Sequence, residues 1–219
     1  MIPTKTPKIL KKLFPDYVWD IPCDHKKKLY LTFDDGPIPD VTEFVLNQLK
    51  RYNAKATFFC IGDNIRKHPS IFQQIVSEGH TIGNHTMNHL KAWRNNLENY
   101  IHNTVDCQKT ISKYTPENYT QLLFRPPHGQ ISQAKLRELK KLGYSIILWD
   151  VLSKDWKQNI SPEICAQNVI KNAKEGSIIV FHDSIKASKN LKEALPKVLD
   201  YFTELGYTFE SIKLKHTLS

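Results

Sequence analysis

Two adjacent carboxylates, Asp34 and Asp35, close the short apolar run Lys28–Phe33, and Gly36-Pro37 turns the chain away directly after them. Like charges side by side repel unless a cation or a shared proton holds them together. A folding core gains nothing from such a pair, whereas a metal centre or an acid–base site does. Taken alone, Asp-Gly-Pro is also ordinary turn chemistry. The remaining polar clusters decide between the two.

His85-Thr86-Met87-Asn88-His89 sets two imidazoles four residues apart. On one helical turn both would share a face and reach a single cation. In a chain with nine histidines that spacing arises as readily by chance. A carboxylate at a nearby strand end turns it into a two-histidine, one-carboxylate site that leaves coordination positions for water and substrate. In Arg125-Pro126-Pro127-His128-Gly129 two prolines fix the backbone, so Arg125 and the His128 N–H can be held in place. Arg125 could steady a carboxylate; the plain alternative is a rigid surface turn. Asp155-Trp156 offers an aromatic face on which a sugar can stack, whereas Trp149 reads as core. Last comes Val180-Phe181-His182-Asp183. A lone histidine there is usually structural, but one facing the reacting groups would be a general acid or base.

These clusters need elements that bring them together, and the pattern supplies them. Strand-like runs at 28–33, 56–61, 121–124, 145–149, 177–181 and 207–212, with a short extended 81–83, alternate with helical patterns. The helical stretches are 41–52, 69–78, 96–114, 132–141, 162–174 and 191–205, with starts at Pro69 and Ser132 and stops at Gly79 and Gly143. Regular βα alternation predicts parallel strands with helices packed outside. A TIM-like barrel, complete or not, fits, and a doubly wound open sheet is the alternative. In either, functional groups collect at the C-terminal ends of the strands, where every cluster above falls.

Bulk composition narrows the classes further. The 219 residues, 40% hydrophobic and 24% charged, suffice for one well-buried core. No apolar run approaches a membrane span, and residues 1–27, broken by prolines, contain no secretion-signal core. The expected location is cytoplasmic by default, or the cell envelope or exterior if the start has been trimmed. Cys23, Cys60, Cys107 and Cys165 form no C-x-x-C pair, which argues for reduced thiols rather than a thiolate metal site, with Cys60 a small core residue. The net charge of +9 favours anionic surroundings, yet no nucleic-acid motif accompanies it. A monomer is expected.

Taken in order, the polar clusters resemble the motifs of the polysaccharide deacetylase family, carbohydrate esterase family 4 or the NodB homology domain. Thr32–Gly36, His85–His89, Arg125–Gly129, Asp155-Trp156 and Val180–His182 match its five motifs over roughly Lys28 to Ile212. The resemblance implies a single domain over 28–219, a distorted (β/α) TIM-like barrel of seven or eight strands, with residues 1–27 as an extension packed on it. It implies that Asp35, His85 and His89 hold a divalent metal, zinc first, with cobalt or nickel able to substitute. Asp34 would be the general base, Arg125 its tether, His182 the general acid and Asp155 the group that orients it. Pro127, His128, Trp156 and Val180 would contact an acetylated glycan or amino-sugar substrate.

The implied reaction is removal of N-acetyl groups from N-acetylglucosamine units, as in chitin oligomers or peptidoglycan. Cleavage of an O-acetyl ester, or of an N-acyl group on a small or lipid-linked sugar, is the second reading. A non-catalytic glycan-binding module would have lost at least one of Asp34, Asp35, His85, His89 or His182, and all five are present. Three departures, His128 for an aromatic, Leu152 for an acid and Val180 for leucine, bear on pocket shape and substrate.

Overall fold

The computed structural model describes residues 2–23 and 26–214. Its strands are β1 Lys28–Asp34, β2 Thr57–Cys60, β3 Thr81–Asn84, β4 Leu123–Phe124, β5 Ser145–Ile146, β6 Val151–Leu152, β7 Ile178–His182 and β8 Thr208–Phe209. The helices are α1 Lys8–Leu13, α2 Thr42–Arg51, α3 Gly62–Lys67, α4 Pro69–Ser77, α5 Leu97–Ser112, α6 Gln133–Lys141, α7 Pro162–Ile170 and α8 Ser188–Glu204. Every strand pair is parallel, in the order β5-β4-β3-β2-β1-β7-β6, with β8 beside the start of β1. The result is a curled half-barrel with helices outside it, as the alternation predicts.

The sequence explains the layering. Leu29 to Asp34 are all buried, so β1 is covered on both faces, the usual state of a central parallel strand. Each long helix turns one apolar stripe inward: Val45, Leu46 and Leu49 on α2, and Leu191, Ala194, Leu195, Val198, Leu199 and Phe202 on α8. Capping follows side-chain chemistry. Asn96, Ser132 and Ser161 accept the N–H groups of Asn99, Lys135 and Ile164 at the starts of α5, α6 and α7. Pro69 and Pro162 occupy first-turn positions, where the missing N–H costs nothing.

Three local expectations give way. The run 145–149 does not stay one strand. Val18 takes the hydrogen bonds beyond Ile146, donating to the Ile146 carbonyl and accepting from the Leu148 N–H, and the chain re-enters the sheet as β6. Trp149 is only partly buried rather than core. The segment from His85 to His89 is a loop, not a helical turn, with left-handed backbone at Thr86 (φ 66°) and His89 (φ 54°). Two short helices, α1 and α3, carry too few periodic positions to have been visible.

Residues before β1 do structural work. Lys5 pairs antiparallel with Val151, Val18 parallel with Ile147 and Asp20 antiparallel with Ser177, so this segment spans the opening between β5 and β6. Its polar anchor is Asp150, fully buried, which accepts from Lys5 Nζ (2.5 Å), Lys11 Nζ (2.5 Å) and Ser177 Oγ (2.5 Å). All four cysteines are free. No helix among the described residues is long and apolar enough to cross a membrane.

Candidate active site

Strand register assembles the site. Asp34 lies directly beside His182 across the β1–β7 pair and beside Phe59 on β2, and Cys60 pairs with Asn84 on β3. Asn84 in turn pairs with Phe124 on β4. One residue beyond these ends stand Asp35, His85 and Arg125. Four separate sequence motifs thereby meet on one rim, as the parallel topology requires.

Asp34 and Arg125 form the deepest pair. Arg125 is fully buried and donates from Nη1 to Asp34 Oδ1 (2.6 Å) and Thr32 Oγ1 (2.7 Å). Its Nε and Nη2 donate to the carbonyls of Ile147 (3.2 Å) and Leu148 (3.0 Å), and the guanidinium lies 4.0 Å from the Phe59 ring centre. Burial lowers the Arg125 pKa and the Asp34 carboxylate opposes that, but guanidinium basicity leaves it charged. Arg125 thus steadies the carboxylate, and the surface-turn reading fails.

Asp35 has different neighbours. Its Oδ1 lies 3.7 Å from His85 Nε2 and 3.4 Å from His89 Nε2, and one ligand atom from each residue falls within 4.8 Å of the others. Asp35 Oδ1 is buried and has no hydrogen-bond partner, an arrangement that is costly unless a cation faces it. His85 Nδ1 sits 2.7 Å from the Arg125 carbonyl, which can only accept, so the proton is on Nδ1 and the Nε2 lone pair is free. Burial lowers the His85 pKa to about 4, overriding the nearby carboxylates, so the ring is neutral as a metal ligand must be. Burial would raise the Asp35 pKa, yet the facing histidines, His182 foremost, pull it below the ordinary value. Left-handed backbone at Asp35 (φ 84°) and His89 (φ 54°) marks strain at both residues. The three residues fit a divalent cation.

His182 faces them from β7. Its Nδ1 lies 2.8 Å from Asp155 Oδ1, and its backbone N–H donates to Asp155 Oδ2 at 2.7 Å. Asp155 is fully buried and so fixes both ring and backbone. Burial alone would lower the His182 pKa, but the Asp155 charge and hydrogen bond, with Asp35 and Asp34 behind them, raise it to about 9. The ring is therefore protonated at neutral pH and can give a proton away.

These groups line a cavity of about 440 Å³ with His128, Trp149, Trp156 and Val180 around them. Trp156 stands edge-on to His182 with centroids 4.8 Å apart, and His128 meets His89 in the same way at 4.8 Å. Pro127, expected to contact substrate, is buried and does not line the cavity. His128 adopts φ 60°, and no described residue accepts its N–H. A Cβ on Gly129 beside it would lie 2.4 Å from Trp149 Cη2 at φ 67°, so a larger residue there would be strained and would have to displace the indole.

Sequence reasoning missed several members. Asp183 accepts from the Gly36 N–H (3.0 Å) and Thr42 Oγ1 (2.6 Å), bracing the turn after the acidic pair. Burial, reinforced by the Asp35 charge, lifts its pKa to about 7 against those hydrogen bonds. Its place directly after His182 was the one available signal. Ile2, Ile38 and Ile185 line the cavity too, and nothing in their sequence neighbourhoods marks them.

The profile of the polysaccharide deacetylase family matches residues 22–147. The chain belongs to that family. It is 39% identical over 204 residues to a peptidoglycan-N-acetylglucosamine deacetylase of Bacillus cereus, spanning 90% of this chain and 93% of the relative. It is 32% identical over 189 residues to the peptidoglycan-N-acetylmuramic acid deacetylase PdaA of Bacillus subtilis, covering 85% and 70% of the two. A crystal structure of a peptidoglycan N-acetylglucosamine deacetylase in complex with 4-naphthalen-1-yl-N-oxidanyl-benzamide superposes with a TM-score of 0.85 at 30% identity, covering 94% of this chain and 95% of that one. As a polysaccharide deacetylase, the protein is a hydrolase with the half-barrel of its relatives.

Proposed function

We propose that this deacetylase removes N-acetyl groups from N-acetylglucosamine units of peptidoglycan or a related glycan such as chitin oligomers, with a divalent metal held by Asp35, His85 and His89. The observation that carries the reading is that two braced groups, a carboxylate and an imidazole, line one cavity with the three proposed ligands. Asp34 is held by Arg125 at 2.6 Å, and His182 by Asp155 at 2.8 Å. A cation so held, zinc in the first instance, supplies Lewis-acid polarisation of a carbonyl and acidification of water.

The chain's own groups do the rest. Asp34, anchored at Oδ1, presents its second oxygen to take a proton from the attacking water. The His128 N–H, unengaged by described residues, can donate to the oxyanion that develops at the acyl carbon. His182 Nε2 then protonates the sugar nitrogen as it departs, and Asp155 stabilises the ring before and after. Trp156 offers its face to a sugar, while Trp149, Leu152 and Val180 give the acyl end of the cavity an apolar wall. A wall polymer as substrate implies action in the cell envelope.

The test is acetate release from peptidoglycan, chitin oligomers, acetylxylan and small N-acetyl sugars, before and after chelation and with zinc or cobalt restored. Release from the N-acetylated glycans that stops on chelation and returns with metal is expected. Release from acetylxylan alone would transfer the reading to esters, and release untouched by chelation would remove the metal from it.

A further inference from the structure

The short helix α1 is mounted inside out. Ile9, Leu10, Leu13 and Phe14 fall on one arc of about 140° at helical spacing, and the lysines at 8, 11 and 12 fall on the other side. In a helix packed on a core the apolar arc would face inward. Here Lys11 faces inward, pairing with Asp20 and with the buried Asp150, and no α1 residue is buried. Ile9 is left 67% exposed and Leu13 65%, with Leu10 and Phe14 exposed beside them. Phe14 continues into Tyr17 (centroids 6.1 Å) and Tyr17 into Trp19 (5.8 Å), an aromatic edge with polar tips. A contiguous apolar patch of this kind marks an interaction surface.

The charge around the patch says what covers it. Lys8 and Lys12 are exposed on its flank, and the neighbouring acids are already neutralised, Asp16 by Lys140 and Asp20 by Lys11. A second copy would bring another +9 against the first, which disfavours self-association. An anionic lipid surface complements lysines, aliphatic side chains and interfacial aromatics together. We propose that α1 and its aromatic edge dock this protein on an anionic bilayer surface.

Sedimentation of the full chain with vesicles tests this. Phosphatidylglycerol-containing vesicles should retain the protein and pure phosphatidylcholine vesicles should hold it about tenfold less well. Ile9→Asp with Leu13→Asp, and separately Lys8→Glu with Lys12→Glu, should each weaken retention about tenfold or more. Both pairs lie outside the cavity, so thermal unfolding and acetate release should be unchanged, and the melt serves as the control even where no substrate is turned over. Absence of binding to the anionic vesicles, retention of both double variants equal to that of the parent, or a dimer that Ile9→Asp with Leu13→Asp dissociates would overturn the proposal.

Discussion

Asp34 and Asp35 look alike in the sequence and are opposites in the fold. One is braced through a single oxygen by a buried guanidinium, and the other holds an oxygen with no donor at all. Asp34→Asn should therefore cut turnover by about 10²-fold or more while metal content, read by elemental analysis, stays at that of the parent. Arg125→Ala leaves the Asp34 carboxylate buried without its partner, and a loss of about 3–5 kcal/mol should appear in denaturant unfolding. The pH dependence follows from His182. Its raised pKa, about 9, means that the proton-donating form prevails below that value and is lost above it. The alkaline limb of kcat/KM should fall at or below that pH, since a bound cation can only depress it. Asp155→Asn removes the charge that raises the pKa, so the limb should move to lower pH; an unmoved limb would exclude His182 as the acid. Asp34, Asp35, His85, Arg125 and His182 could be located from the sequence because each stands at, or one residue past, the end of a strand-like run. Ile2 and Ile38 were not, because their place at the cavity is set only by tertiary packing.

The turn Asp35-Gly36-Pro37 and the loop His85–His89 carry the proposed ligands, and both depend on what they press against. A Cβ on Gly36 would lie 1.9 Å from Asp183 Oδ2, inside the brace that Asp183 forms with Thr42. Gly36→Ala should cost about 1–3 kcal/mol in thermal unfolding and weaken metal retention on dialysis, because the displaced turn carries Asp35 with it. Strand and helix patterns located most elements to within a few residues. They failed at His85–His89, where spacing alone suggests a helical turn. The Thr86 N–H is instead taken by the Asn84 side chain and the Gly62 N–H by the Thr86 carbonyl, and left-handed residues turn both rings toward Asp35. Periodicity also overran at 145–149, where Val18, remote in sequence, claims the backbone.

Across the whole molecule, the hub at Asp150 ties the first twenty residues to the barrel. Burial pushes the Asp150 pKa up, but Lys11, Lys5 and Ser177 outweigh it and hold the carboxyl below its ordinary value. A depressed carboxylate contributes stability above its unfolded pKa and loses it as pH falls through the folded one. Acid unfolding of Asp150→Asn should accordingly begin from a lower plateau near neutral pH and converge on the parent once the pH has fallen through the lowered folded pKa of Asp150. The bridges that these residues make to Ile147 and Val151 also define where the fold can be cut. The family profile begins at residue 22, a natural point to start a shortened protein. Such a protein would lack the backbone partners of β5 and β6 and would carry two bare strand edges, templates for intermolecular pairing. Insoluble aggregates are the expected product of that truncation, with all five polar motifs still present in the chain and none of them usable.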